Sequence, residues 1–190
     1  MARKATITKE VILDAALKML IRDGYSEVNI KTLSAEIGCS TQPLVWHFEN
    51  MDGLRNELAK YAREYAQNKI SSLASECPDP FERIGRAYVK MAIEEPNLFK
   101  YLYLGESPLE YPYSIDEIAK DKKNQELVRA VAEDLELTKD QTIRCIQNTV
   151  IYTHGIATLV ATGIFTGTEE ELMDRVKYVL RGLVNQEKRQ

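Results

Sequence analysis

The chain is short of the residues on which most small-site chemistry depends. Its 190 residues include two histidines, three cysteines and one tryptophan. The histidines, His47 and His154, stand far apart, so neither has a neighbouring partner for acid–base work. Cys39, Cys77 and Cys145 are odd in number and widely spaced, which fits reduced thiols in a cytoplasmic protein and neither a disulfide framework nor a zinc spacing. With 9 glycines and 6 prolines there is little room for many tight turns, and no glycine-rich phosphate loop occurs. No strand-like alternation or repeat stands out. No apolar run reaches the ~20 residues that cross a bilayer. The start, "MARKATITKE", is basic but lacks the apolar centre of a secretion signal. The expectation is a cytoplasmic, non-membrane chain that needs no metal or cofactor and is not an enzyme.

What the chain does have is helix. Hydrophobic residues make up 44% and charged residues 28%, an ordinary globular balance, and the length suits one or two domains with a sizeable core. In "TKEVILDAALKMLIRDGY", Val11, Ile12, Ala15, Ala16, Met19 and Leu20 recur at helical spacing and predict one inward stripe. Thr8 is placed to cap it and Gly24 to end it in a left-handed turn. "NIKTLSAEIG" predicts a second, short helix capped by Asn29, with Leu33 and Ile37 inward and Gly38 as its stop. Ser40 then caps a third helix running to about Phe48. A longer helix is expected from about 53 to 75, another from about 80 to 95, a turn or two in "NLFKYLYLG", and a mixed-polarity helix over 115–136. Asp140 to about Gly163 is apolar nearly all round, which predicts burial. Thr168 and Glu171 form a capping box for a last helix over 169–187. The run "KDKK" at 120–123 reads as a solvated face.

Three short helices in the first 48 residues, with Gly38 between the second and third, have the spacing of a helix-turn-helix. The third begins Ser40-Thr41-Gln42-Pro43. Proline is tolerated there because first-turn amides have no intrahelical acceptor. Small polar side chains on an exposed first turn suit a helix that enters the major groove, where Thr and Gln bond base edges. Net charge is −4 overall, but residues 1–50 carry six basic and six acidic groups, so the whole excess lies in the remainder. The asymmetry favours an N-terminal DNA contact.

The combination "ILDAALKMLIRDGY", "IKTLSAEIGCS" and "LVWHFENMDGL" over residues 8–54 resembles the DNA-binding domain of the TetR/AcrR family. The resemblance covers about a quarter of the chain. It implies a dimeric, all-α, ligand-responsive transcriptional regulator: a helix-turn-helix domain over 1–52 and a helical ligand-binding and dimerisation domain over 53–190. It implies DNA contacts from Lys31, Ser40, Thr41, Gln42, Pro43, Val45, Trp46 and His47, with His47 on a phosphate. Trp46 stands between two roles, a core wedge beside Phe48 or a phosphate contact through its indole N–H. Arg3 and Lys4 could form a basic arm. Two positions depart from the family pattern. Val45 replaces a tyrosine and Met51 a lysine, both of which commonly touch the DNA backbone, and Val45 is instead suited to a thymine methyl.

The C-terminal stretches "YVKMAIEEPNLFKYLYLG" and "YTHGIATLVATGIF" resemble one recurring ligand-domain type of that family. Tyrosine is dense at Tyr88, Tyr101, Tyr103, Tyr111 and Tyr113. The expected ligand-binding residues are Tyr88, Met91, Phe99, Tyr103, Tyr152 and His154, an apolar and aromatic set with a few polar tips. Leu172, Val176, Val179 and Leu183 are spaced as a heptad seam. With Ile146, Thr149, Thr153, Ile156, Val160 and Gly163 they form the expected two-fold dimer interface. The resulting expectation is a repressor that binds pseudo-palindromic double-stranded operator DNA as a homodimer and is released by a small, mainly apolar or aromatic effector. The alternative is a helical small-molecule-binding protein that has lost specific DNA binding.

Overall fold

A computed structural model describes residues 7–77, 79, 82–109, 114–115 and 124–189. Arg3, Lys4, Tyr111, Tyr113, the run 120–123 and the first part of the helix expected over 115–136 lie outside the described residues. The described residues form α-helices and no strand.

The helices are α1 (Lys9–Asp23), α2 (Ile30–Ile37), α3 (Gln42–Phe48), α4 (Met51–Glu76), α5 (Glu82–Glu94), α6 (Pro96–Tyr103), α7 (Gln125–Leu135), α8 (Lys139–Ala161) and α9 (Glu169–Glu187). Their ends follow local chemistry. Thr8 caps α1 through its hydroxyl, and Asn29 with Thr32 closes a capping box on α2. Thr138 with Gln141 does so on α8, and Thr168 with Glu171 on α9. Gly38 ends α2 in the left-handed region, at φ 73° and ψ 35°. Gly24 also has positive φ, at 93°, but its ψ of 165° is extended, not left-handed helical. Ser40 does not cap α3. Thr41 occupies the cap position without a side-chain bond, and Pro43 sits in the first turn.

The chain clusters into two compact units. One runs up to Asn68 and takes in the stretch from Glu95 through α6; the other holds Lys69–Glu94 and α7 to α9. In the first unit α1 buries Ile12, Leu13, Ala16, Leu17, Met19 and Leu20. The inward stripe is therefore rotated from the expected one: Val11 is exposed and Ala15 only half-buried. The row 11, 15, 18, 22 shares one face, and it carries Lys18 and Arg22, whose charges belong in water. Leu33, Leu44, Phe48, Leu54 and Leu58 complete this core with Leu98, Phe99 and Tyr101 of α6. α6 is held to α1 by Asn97, whose Nδ2 donates to the carbonyls of Ile21 at 3.1 Å and Arg22 at 3.3 Å. The Tyr25 and Tyr101 rings meet with centroids 4.7 Å apart, and Tyr65 Oη donates to Glu95 Oε1 at 2.8 Å.

In the second unit α5, α8 and α9 meet around Val89, Ile156, Leu172, Met173 and Val176. Thr142, Thr149 and Thr153 are buried on α8 and satisfy their hydroxyls on the carbonyls of Thr138, Cys145 and Thr149 respectively. Arg86 of α5 ties the start of α9 by ion pairs to Glu169 and Glu170, and also pairs with Glu82. The expectation that the 140–163 helix is buried all round does not hold in this chain: Ile151 is 52% and Leu159 40% exposed, and Gly155 is exposed with them.

Candidate nucleic-acid interface

The geometry of α3 follows from what precedes and follows it. Gly38 turns the chain after α2, with its own N–H and that of Cys39 returning to carbonyls of the last turn. At the other end, Asn50 accepts at Oδ1 from the amides of Asp52 at 2.9 Å and Gly53 at 3.0 Å, capping α4. Gly53 closes the joint: a Cβ there would lie 2.1 Å from the Phe48 carbonyl oxygen. The expectation from sequence starts α4 at about Gly53 and leaves Asn50 in the preceding loop, although an asparagine just before a helix is a cap signal and the helix begins at Met51.

Between these joints α3 has two faces. Leu44 and Phe48 are buried against the three-helix core, one turn apart. Thr41, Gln42, Val45 and Trp46 are exposed, as are Ser40 before the helix and Lys31 on α2. Pro43 is half-buried. Trp46 is 75% exposed, so it is not the core wedge; Phe48 alone of that pair fills the core. The helix period decides this, because positions two residues apart lie about 200° apart around the axis, so one of them must face away. His47 is half-buried, and its Nε2 is hydrogen-bonded to the Ile7 carbonyl at 2.9 Å. That nitrogen anchors the entry of the chain into α1, a role not read from the sequence because the two residues are far apart. Met51 is half-buried at the start of α4.

The charges of the first unit are largely paired within it. Arg22 spans Asp23 and Glu36, which lowers both carboxyls below their usual range through hydrogen bonds to the guanidinium. Lys18 pairs with Asp14, and Lys9 with Glu57. Lys31 makes no ion pair among the described residues, which leaves its ammonium available on the helix before α3.

The expected ligand-binding residues divide between the two units. Tyr88 and His154 come together in a hydrogen bond, Oη to Nδ1, of 2.8 Å. Burial holds the His154 pKa below its ordinary value, which favours the neutral ring near neutral pH. Met91 is fully buried on α5. Tyr152 packs beside the core of the second unit and lines an open cleft of about 680 Å³ with Phe165, Arg175 and Tyr178. Phe99 and Tyr103 instead belong to α6 in the first unit, where their rings pair at 5.0 Å.

Half of the expected dimer stripe is turned inward. Thr149, Thr153, Ile156, Leu172 and Val176 are buried within this chain. Ile146, Val160, Val179 and Leu183 are half-buried, and Gly163 is exposed after the end of α8. The heptad seam on α9 is thus in large part where α9 packs on α5 and α8 of its own chain. Outward-facing apolar side chains on these helices are Ile151, Leu159 and Tyr178, the last 80% exposed. No helix among the described residues is long and apolar enough to cross a membrane.

Comparison with known proteins bears on this arrangement. Residues 12–58 match the family model of bacterial regulatory proteins of the tetR family. The matched stretch runs from α1 into α4. No curated protein matches the chain in sequence. Among solved structures, it is similar to the crystal structure of a TetR-like transcriptional regulator from Rhodococcus sp. RHA1, with 17% identity, 96% of each chain covered and a TM-score of 0.55. At that identity the likeness is one of fold.

Proposed function

We propose, from the match of residues 12–58 to the family model of bacterial regulatory proteins of the tetR family, that the chain is a dimeric, ligand-responsive repressor. The observation that carries the reading is the outward face of α3, which presents Thr41, Gln42, Val45 and Trp46 to solvent between two stiff joints. Such a face fits the major groove, with Thr41 and Gln42 on base edges and Lys31 on a phosphate. Two copies would read two half-sites of a pseudo-palindrome and block transcription sterically.

The second copy docks on the outward side of α8 and α9. Ile151, Leu159 and Tyr178 supply apolar area there. Gly155 and Gly182 have nothing within 4 Å of an added Cβ, which allows close approach of a partner helix. The effector is a small, mainly apolar molecule held in the second unit, with the neutral Tyr88–His154 pair as its polar contact. It releases DNA only to the extent that it binds the DNA-incompetent state more tightly.

The test begins with selection of duplexes from random DNA by the full chain. Gln42→Ala should cost about 1–3 kcal/mol on the selected site and relax the preference at one base pair. Lys31→Ala should weaken all sequences alike and reduce the salt slope by about one unit. A selection that recovers no preferred sequence would refute the repressor and leave the small-molecule-binding alternative.

A further inference from the structure

We infer that the exposed Val45–Trp46 pair of α3 reads thymine methyl groups, so that apolar contact as well as hydrogen bonding selects this chain's DNA site. The inference rests on the DNA-binding reading above and adds to it the chemistry of the bases recognised.

Val45 is 46% and Trp46 75% exposed, while Leu44 between them and Gln42, and Phe48 beyond them, are buried. Gln42 stands three residues before Val45 and four before Trp46, so the three side chains meet on one helix face a turn apart. Valine has no donor or acceptor and cannot hold a phosphate. On the floor of the major groove the apolar partner available to it is the thymine C5 methyl. The Gln42 amide beside it is of the type that bonds the N6/N7 edge of adenine. The two together favour A·T pairs.

Trp46 extends the same apolar surface by one residue. Its ring lies with its centroid 4.9 Å from that of His47, and His47 is itself anchored on the Ile7 carbonyl. The indole therefore rests against a fixed neighbour, which reduces the ordering cost of docking. No acidic side chain interrupts the face before Glu49 at the end of the helix.

Deoxyuridine tests this directly, because it differs from thymidine by the methyl group alone. The probe is the duplex recovered by selection against the full wild-type chain, with each thymidine replaced in turn. At one or two positions per half-site the replacement should weaken wild-type binding about three- to fivefold, the worth of one buried methyl. Val45→Ala and Trp46→Ala should bind the two forms alike at one or other of those positions. Gln42→Ala should lose affinity overall yet keep the thymidine preference. Both apolar positions are exposed, so their variants should melt as the wild type does. The inference is overturned if every thymidine tolerates replacement within twofold. It is equally overturned if both variants keep the wild-type ratio, which would place the pair on sugar and phosphate instead. A selection that returns no sequence overturns it together with the reading on which it rests.

Discussion

Gly53→Ala should destabilise the N-terminal unit, although alanine is the better helix former. Gly53 lies in the first turn of α4, where helix propensity alone would favour alanine by about 1 kcal/mol. The added Cβ, however, would sit 2.1 Å from the Phe48 carbonyl oxygen and 3.1 Å from its carbonyl carbon. Those are backbone atoms, so no rotamer change relieves the overlap, and the α3–α4 joint has to open. Opening it also disturbs the two amide bonds that Asn50 accepts, a cap worth about 1 kcal/mol. Overpacking of this kind costs about 1–3 kcal/mol, and the combined loss exceeds the propensity gain by about 1–3 kcal/mol. Amide exchange of peptides from α1 to α3 is the appropriate assay, because it reports opening of this unit separately from the other. Exchange should accelerate about five- to a hundredfold. Gly85→Ala on α5 is the opposite case: its Cβ would meet Met173 Cε and Thr153 Cγ2 at 3.9 Å, an ordinary contact. That variant should gain up to about 1 kcal/mol. Exchange in Gly53→Ala as slow as in the wild type would refute the reasoning about the joint.

Three further outcomes are expected. Asn97→Ala should loosen α6 from α1 by removing the two bonds to Ile21 and Arg22, and Asn97→Asp should do so more severely at neutral pH, because a carboxylate would face the negative end of the α1 dipole; exchange of the α1 C-terminal amides measures both. For His154, burial depresses the folded-state pKa, so the unfolded chain binds the proton more readily. Its contribution to stability is complete above about pH 6.5 and is lost as the pH falls through the folded-state value; denaturant titrations of wild type minus His154→Gln should show that slope below about pH 6.5 and none above. Ile151→Glu with Tyr178→Glu should leave a folded monomer by light scattering if α8 and α9 carry the dimer contact, whereas Val176→Glu should unfold the second unit, since Val176 is buried within the chain.

The sequence by itself determined the parts of this protein whose partners are a few residues away. The caps at Thr8, Asn29 and Thr168 and the turn at Gly38 were legible because each satisfies backbone groups within its own turn, and Pro43 because it stands where a first-turn amide has no intrahelical acceptor. The helix-turn-helix spacing was legible for the same reason, and with it the exposed Thr41 and Gln42. Only the tertiary structure decided which of two equally periodic rows faces inward. Val11 and Leu13 both belong to apolar stripes of α1, and Ile151 and Ile156 both fit a helical period on α8; packing against other helices buries one of each pair and exposes the other. The outward Trp46, the anchoring of His47 on Ile7 and the clamp of Asn97 on α1 were likewise decided there. Periodicity states that a helix has an apolar side, but the side that is buried depends on contacts between residues distant in sequence, which no local pattern records.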